Sequence, residues 1–146
     1  MSNRPLGVSL LCGFFALLGV GSLLNAFSYA TLSGRIPNGQ PQSVELFLTL
    51  FPFLMMLLGF LGLFAALSLW TGHPLGRTSG LAWIGLWIVE ELLMAIWSVA
   101  GPEVIRQAAS GIGGNLLRIA VGGALFYYLW TTGATYVESA GEASSP

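Results

Sequence analysis

The sequence predicts an all-α protein, an antiparallel bundle of four transmembrane helices. Of its 146 residues, 55% are hydrophobic and only 8% are charged, whereas an ordinary soluble domain has about 25% charged residues. Its mean hydropathy is +0.78. Four apolar stretches reach the roughly 20 residues that a helix needs to cross a bilayer. So few charged residues could not cover a surface that faces water, and we therefore expect an integral membrane protein.

Polar segments rich in turn-forming residues separate the four predicted spans. The spans cover about residues 6–32, 46–70, 79–100 and 112–132. The second and third spans are joined by Thr71 to Thr78, and a connection this short makes the two helices antiparallel neighbours. We expect residues 1–137 to form one membrane domain and the small polar residues 138–146 to form a disordered tail.

Charge and composition exclude several classes of protein. The formal net charge is −1, so the chain lacks the basic surface that nucleic-acid binding requires. One cysteine excludes a disulfide framework within the chain, and one histidine excludes a two-histidine haem or metal site. The sequence contains no catalytic Ser/His/Asp set, zinc-ligand spacing or nucleotide-binding loop. We expect a protein without enzymatic activity, cofactor or metal. Its expected environment is the lipid bilayer, and we do not expect it to bind nucleic acid.

Five polar residues within the spans are candidates for a functional site. Glu90 and Glu91 lie in the third span, Arg118 and Asn115 in the fourth, and Asn25 in the first. An ionised side chain in the middle of a membrane helix costs roughly 2.5–3.5 kcal/mol, so such residues normally face protein or water. Counted inward from the loops after the first and third spans, Asn25, Glu91 and Arg118 lie roughly 9–13 Å deep. Their similar depth predicts an intramembrane polar cluster.

Helical periodicity favours Glu91 over Glu90 as the ion-pair partner of Arg118. The face of Glu91 carries the small residues Gly80, Ala95 and Ser98, which would contact another helix. The face of Glu90 carries the bulkier Trp83, Trp87, Met94 and Trp97, and we expect this face to contact lipid or a partner chain. An ion pair of this kind could fix the helix register, belong to a ligand or ion site, or contact another subunit. The sequence leaves these three roles open.

A short internal similarity connects the second and fourth spans. The segment Leu63-Phe-Ala-Ala-Leu-Ser-Leu-Trp-Thr-Gly72 is similar to Leu125-Phe-Tyr-Tyr-Leu-Trp-Thr-Thr-Gly133, and both stand at the same end of their spans. Duplication of a two-helix unit would produce this similarity, and internal repeats are common in transporters. Chance similarity between two leucine-rich membrane segments would also produce it. Both explanations stay open at this point.

Two short motifs resemble features of small four-helix integral membrane proteins of bacteria and archaea. They are Arg4-Pro-Leu-Gly-Val8 at the start of the first span and Trp70-Thr-Gly-His-Pro-Leu-Gly-Arg77 between the second and third spans. Together with the hydropathy profile, they resemble the DUF2127-like proteins, a mostly uncharacterised group. The resemblance implies a four-helix fold and a membrane location. It carries no catalytic residue over to this chain, and Glu90 and Glu91 are not part of it.

The sequence supports two hypotheses about function. The first is a non-enzymatic accessory or scaffold subunit, acting in a homo-oligomer or a larger membrane complex. The alternative is a small carrier or channel whose site is the Glu/Arg/Asn cluster.

We expect the protein to lie in a prokaryotic cell membrane. Arg4 and Arg77 fall on one side and Arg35 and Arg106 on the other, so counting positive charges does not orient the chain. The tight connection that contains Arg77 resembles a cytoplasmic turn, and the longer polar loop after the first span resembles an external one. This comparison favours cytoplasmic N and C termini.

Overall fold

The computed structural model is an all-α bundle of four long helices. It describes residues 6–33, 42–101 and 111–142. The helices are α1 (Leu6–Ser33), α2 (Gln42–Thr71), α3 (Leu75–Ala100) and α4 (Gly111–Glu142). The described residues contain no β-strand. The structure thus confirms the predicted four-helix architecture.

The helices extend beyond the predicted spans. α2 and α3 each begin four residues before the predicted start, at Gln42 and Leu75. α4 continues to Glu142 and so includes residues 138–142 of the segment predicted as a tail. Residues 143–146 lie outside the described part of the chain.

All four helices are long and apolar enough to cross a membrane. Their outward surfaces carry large apolar side chains, among them the exposed Leu17, Phe27, Phe53 and Leu117. Contiguous apolar surface on this scale is rare on soluble monomers. Backbone polar groups in a helix are satisfied within the segment, which is what an apolar solvent requires.

α2 and α3 lie in the middle of the packing, because each contacts two other helices extensively. The most extensive helix contacts are those of α1 with α2, α3 with α4, and α2 with α3. Trp83 of α3 is fully buried, and its indole Nε1 donates a hydrogen bond of 2.7 Å to the Leu58 carbonyl of α2. Its ring lies 5.0 Å from the Phe15 ring of α1, measured between centroids. A Cβ on Gly62 would lie 2.7 Å from Trp83 Nε1, so this glycine makes room for the indole.

Glycines also bring helix backbones into direct contact. A Cβ on Gly19 of α1 would lie 3.0 Å from the Gly59 carbonyl of α2. A Cβ on Gly76 of α3 would lie 2.8 Å from the Leu69 amide nitrogen of α2. Small residues at such positions are the usual means of close helix packing in membranes, where apolar burial drives association weakly.

The connection between α2 and α3 is a tight turn, as predicted. Gly72 has a φ of +70°, a conformation that favours glycine, and the His73 Nδ1 accepts a hydrogen bond from the Leu75 amide. Just beyond the turn, Arg77 Nη2 donates a 2.9 Å hydrogen bond to the Trp130 carbonyl of α4. The Arg77 guanidinium also lies 5.2 Å from the centre of the Trp130 ring, within the range of a cation–π interaction. Arg77 therefore ties the start of α3 to α4.

We predict that Gly76→Ala lowers the free energy of unfolding by about 1–3 kcal/mol, the usual cost of overpacking. The added methyl group would meet the backbone of α2, which cannot move aside as a flexible side chain can. Thermal unfolding in detergent, followed by circular dichroism, measures the change.

Gly85→Ala is the matched control on the same helix. No atom of a neighbouring helix lies within 4 Å of a Cβ at Gly85, and alanine is favoured over glycine in a helix by about 0.5–1 kcal/mol. This variant should unfold at the wild-type temperature or above it. Equal stability of the two variants would contradict the proposed backbone contact.

Candidate functional site

The polar residues singled out in the sequence meet at a pocket to which all four helices contribute. Its volume is about 250 Å³, well above the roughly 10–15 Å³ that one water molecule requires. Five of its eight lining residues are polar. The pocket, called the polar pocket below, is lined by Asn25 and Tyr29 of α1, Phe51 and Met55 of α2, Glu90 and Met94 of α3, and Asn115 and Arg118 of α4.

The polar pocket lies well inside the length of the helices. Asn25 is eight residues from the end of α1, Arg118 seven from the start of α4 and Glu90 ten from the end of α3. At 1.5 Å per residue, these positions are roughly 10–15 Å from the helix ends. The ends in question lead into residues 34–41 and 102–110, so the pocket is nearer to that side of the bundle.

The ion pair joins Arg118 to Glu91. Arg118 Nη1 lies 3.2 Å from Glu91 Oε1, and this is the partner that helical periodicity predicts. The Glu91 side chain is only 3% exposed, whereas that of Arg118 is 53% exposed. The guanidinium therefore reaches from a buried carboxylate to the wall of the polar pocket. Removal of one partner from a buried ion pair is costly because the other charge stays desolvated.

Glu90 turns into the bundle, so the prediction that its face contacts lipid or a partner chain is wrong. Glu90 is 8% exposed and lines the polar pocket, and Trp83 and Met94 on the same face are buried. The reason is that α3 has neighbours on both sides, α2 and α4, which cover its bulky face as well as its small one. No described side chain forms a hydrogen bond or an ion pair with the Glu90 carboxyl group.

The two asparagines that line the pocket differ in their exposure. Asn115 is fully buried, whereas Asn25 is exposed, like Arg118 across the pocket. These two exposed residues mark an opening between α1 and α4, which contact each other less than the sequential helix pairs do. All five residues predicted to cluster are thus close together: four line the pocket and Glu91 pairs with Arg118.

The apolar wall of the pocket is the part that sequence reasoning missed. Tyr29 and Phe51 form an edge-to-face pair with ring centroids 4.9 Å apart, and Met55 and Met94 complete this wall. A signal for these residues is nevertheless present in the sequence. Tyr29 and Met94 follow Asn25 and Glu90 by four residues, a spacing that places both members of each pair on one face of a helix.

Contacts between the helices support the internal duplication. α1 and α3 begin at corresponding residues of two identical motifs, Pro5-Leu-Gly7 and Pro74-Leu-Gly76. A side chain on Gly7 would overlap the Tyr128 hydroxyl of α4, and one on Gly76 would meet the Ser68 carbonyl carbon of α2. Tyr128 and Ser68 each precede by two residues the tryptophan of the repeated segment. In each two-helix unit, a glycine near the start of the first helix thus contacts the second helix of the other unit, through a side chain at Gly7 and through the backbone at Gly76.

The polar pocket lies between these two units. Asn25 is 19 residues after the start of α1, and Met94 is 19 residues after the start of α3. Likewise, Met55 and Asn115 each lie 15 residues before the repeated tryptophan, at Trp70 and Trp130 respectively. Four of the lining residues thus come from two pairs of equivalent positions. The charged residues break this symmetry, because Glu90 and Arg118 belong to the second unit and have Gly21 and Leu58 as their counterparts.

A second cavity, of about 410 Å³, lies between α1 and α2. It is an open, mainly apolar groove on the outer surface, and no charged residue lines it. An acyl chain of a surrounding lipid would suit such a groove. The residues that line it are Ser9, Cys12, Gly13, Ala16, Leu63, Ala66, Leu67 and Trp70.

We predict that replacement of the two adjacent glutamates affects stability differently. Glu91→Gln breaks the ion pair and should lower the free energy of unfolding by about 1–2 kcal/mol, less than for a fully buried pair because Arg118 is half exposed. Thermal unfolding in detergent measures this loss.

Glu90→Gln is the matched comparison, one residue away. Its carboxyl group has no ion-pair partner among the described residues, so its replacement by an amide should leave the unfolding temperature unchanged or raise it. A larger loss of stability for Glu90→Gln than for Glu91→Gln would contradict the assignment of Glu91 as the partner of Arg118.

Comparison of the chain with protein-family models, with curated proteins and with solved structures finds no match. The resemblance to DUF2127-like proteins therefore stays a prediction. The residues and geometry of the polar pocket are the basis on which a function can be proposed for this chain.

Proposed function

We propose that the protein is an integral membrane carrier that binds a small polar solute in the polar pocket. The observation that carries this proposal is a pocket of about 250 Å³, well inside the length of the helices, which all four helices line and to which α1, α3 and α4 contribute polar side chains. Pockets with a few convergent polar groups are the usual sites of small-molecule binding.

An ion pair with a purely structural role would not require the other polar residues of the pocket. Glu91 and Arg118 alone suffice to fix the register of α3 and α4. Glu90, Asn25 and Asn115 add polar groups around an open volume, and polar groups within a membrane are expensive unless they serve a function. Binding of a polar solute accounts for these groups, whereas a register pair does not.

The internal duplication favours a carrier over a static binding protein. In transporters built from repeats, the substrate site lies at the interface of the repeats, near the middle of the membrane. In this chain, equivalent positions of the two helix pairs line the polar pocket, and α1 and α4 flank its opening. A relative movement of the two units would change access to a solute bound between them.

We further propose a prokaryotic cell membrane with both termini in the cytoplasm. The connection that contains Arg77 then faces the cytoplasm, and residues 34–41 and 102–110 lie outside the cell. The polar pocket is nearer to these two loops. In this orientation it would therefore take up or release its solute on the outer side.

A second candidate is the accessory subunit of a homo-oligomer or a larger membrane complex. One observation favours it: the outer face of α4 exposes the small residues Gly113, Ala120, Gly123 and Ala124. Small residues allow a second membrane helix to approach closely. The experiment below separates this candidate from the carrier, because an accessory subunit has no need of a water-accessible pocket.

The test of the carrier is the accessibility of a cysteine placed at Asn25. The single native cysteine, Cys12, is buried, and Cys12→Ala removes it from the background. Asn25→Cys should react with a charged, water-soluble thiol reagent in membranes, because its side chain opens into the polar pocket. A mass shift of the labelled protein measures the reaction.

Leu24→Cys is the matched control at the same depth. Leu24 is exposed but does not line the polar pocket, so its cysteine should face lipid and stay unlabelled. Labelling of Asn25→Cys from both sides of the membrane, applied separately, supports alternating access and hence a carrier. Equal resistance of both cysteines to the reagent would contradict a solute pocket and favour the accessory subunit.

A further inference from the structure

Among the described residues, one carboxyl group at the polar pocket has no ion-pair partner within 4 Å. Arg118 is paired with Glu91 at 3.2 Å. The other arginine on a described helix, Arg77, binds the Trp130 carbonyl at the opposite end of the bundle. Glu90 lines the pocket at 8% exposure, so the three formal charges at the pocket sum to −1. A cationic solute would supply the missing positive charge.

The remainder of the lining suits an organic ammonium group. The amide oxygen of Asn25 and the hydroxyl oxygen of Tyr29 can accept hydrogen bonds from an ammonium N–H. Phe51, Met55 and Met94 offer an apolar wall for a short hydrocarbon chain. The rings of Tyr29 and Phe51 also attract cations through their π faces.

The donor set disfavours the two other classes of charged solute. The described residues contain no group of three or more His, Cys, Asp or Glu side chains that could hold a metal ion. Divalent cations such as Ca²⁺ bind six to eight oxygen ligands, and the apolar wall of the pocket offers none. An anion would meet the Glu90 carboxylate, while the charge of Glu91, 3.2 Å from Arg118, already offsets the positive charge of the guanidinium.

We infer that the solute of the polar pocket is a small organic ammonium ion and that the Glu90 carboxylate is its counter-charge. This inference rests on the proposed function and adds the chemical class of the solute. Asn25 and Tyr29 orient the ammonium group, and the methionines contact its hydrocarbon part.

Calorimetric titration of the full-length protein in detergent with three probes of similar size tests the inference. The probes are n-propylammonium, the neutral propan-1-ol and the anionic propionate. Wild-type protein should bind n-propylammonium saturably and neither of the other two. Glu90→Gln should weaken this binding by about tenfold or more, the expected effect of losing a charge-assisted hydrogen bond.

Two further variants make the test specific to the charge of Glu90. Glu90→Asp keeps the carboxylate and should retain binding that Glu90→Gln loses. Glu45→Gln removes a glutamate from the exposed start of α2, outside the pocket, and should bind as the wild type does. A rise in the wild-type unfolding temperature with n-propylammonium, absent with propan-1-ol, supports the inference without depending on the folding of any variant.

Each other outcome overturns the inference. Wild-type affinity of Glu90→Gln for n-propylammonium would show that the cation does not bind at Glu90. Binding of propan-1-ol or propionate in preference to the cation would change the class of solute while leaving the solute pocket in place. Absence of binding by all three probes would also reject the ammonium class, and the Asn25→Cys labelling then decides separately whether the carrier proposal stands.

Discussion

Close contact of α3 with its two neighbours is the constraint on which the rest of the structure depends. In an apolar solvent the hydrophobic effect drives helix association weakly, so shape complementarity carries the packing. Gly62 accommodates the Trp83 indole, and Gly76 brings α3 against the backbone of α2. Successive residues on a helix point about 100° apart. With α3 held between α2 and α4, Glu90 and Glu91 are therefore both buried, one facing the polar pocket and the other facing Arg118.

Length and hydropathy predicted the fold because a helix needs about 20 consecutive apolar residues to bridge the apolar thickness of a bilayer, and the chain has four such stretches. Depth along the helices and a 3.6-residue period also predicted the pair of Glu91 and Arg118. The same period could not show whether Glu90 is buried. It assigns Glu90 and Glu91 to different faces of α3, but it does not show which of these faces neighbouring helices cover. Tyr29, Phe51, Met55 and Met94 were missed because their types are as common in helix packing as in a pocket wall, and only the position of neighbouring helices distinguishes the two.

The duplicated arrangement gives the polar pocket two unlike sides. Of the four lining residues at equivalent positions, the asparagines lie on α1 and α4 and the methionines on α2 and α3. The polar members therefore flank the opening, and the apolar members line the inner wall. Duplication of a single helix pair, followed by divergence at these positions, would account for the difference between the two sides.

The Arg77 contact has a mechanical consequence for α4. It holds this helix at Trp130, 12 residues from Arg118, a distance of about 18 Å along the axis. A rigid tilt of α4 about Trp130 would widen the pocket and keep this contact in place. On a lever arm of about 18 Å, a tilt of only about 3° moves Arg118 by about 1 Å. Small rotations at one end of the bundle are thereby amplified at the other.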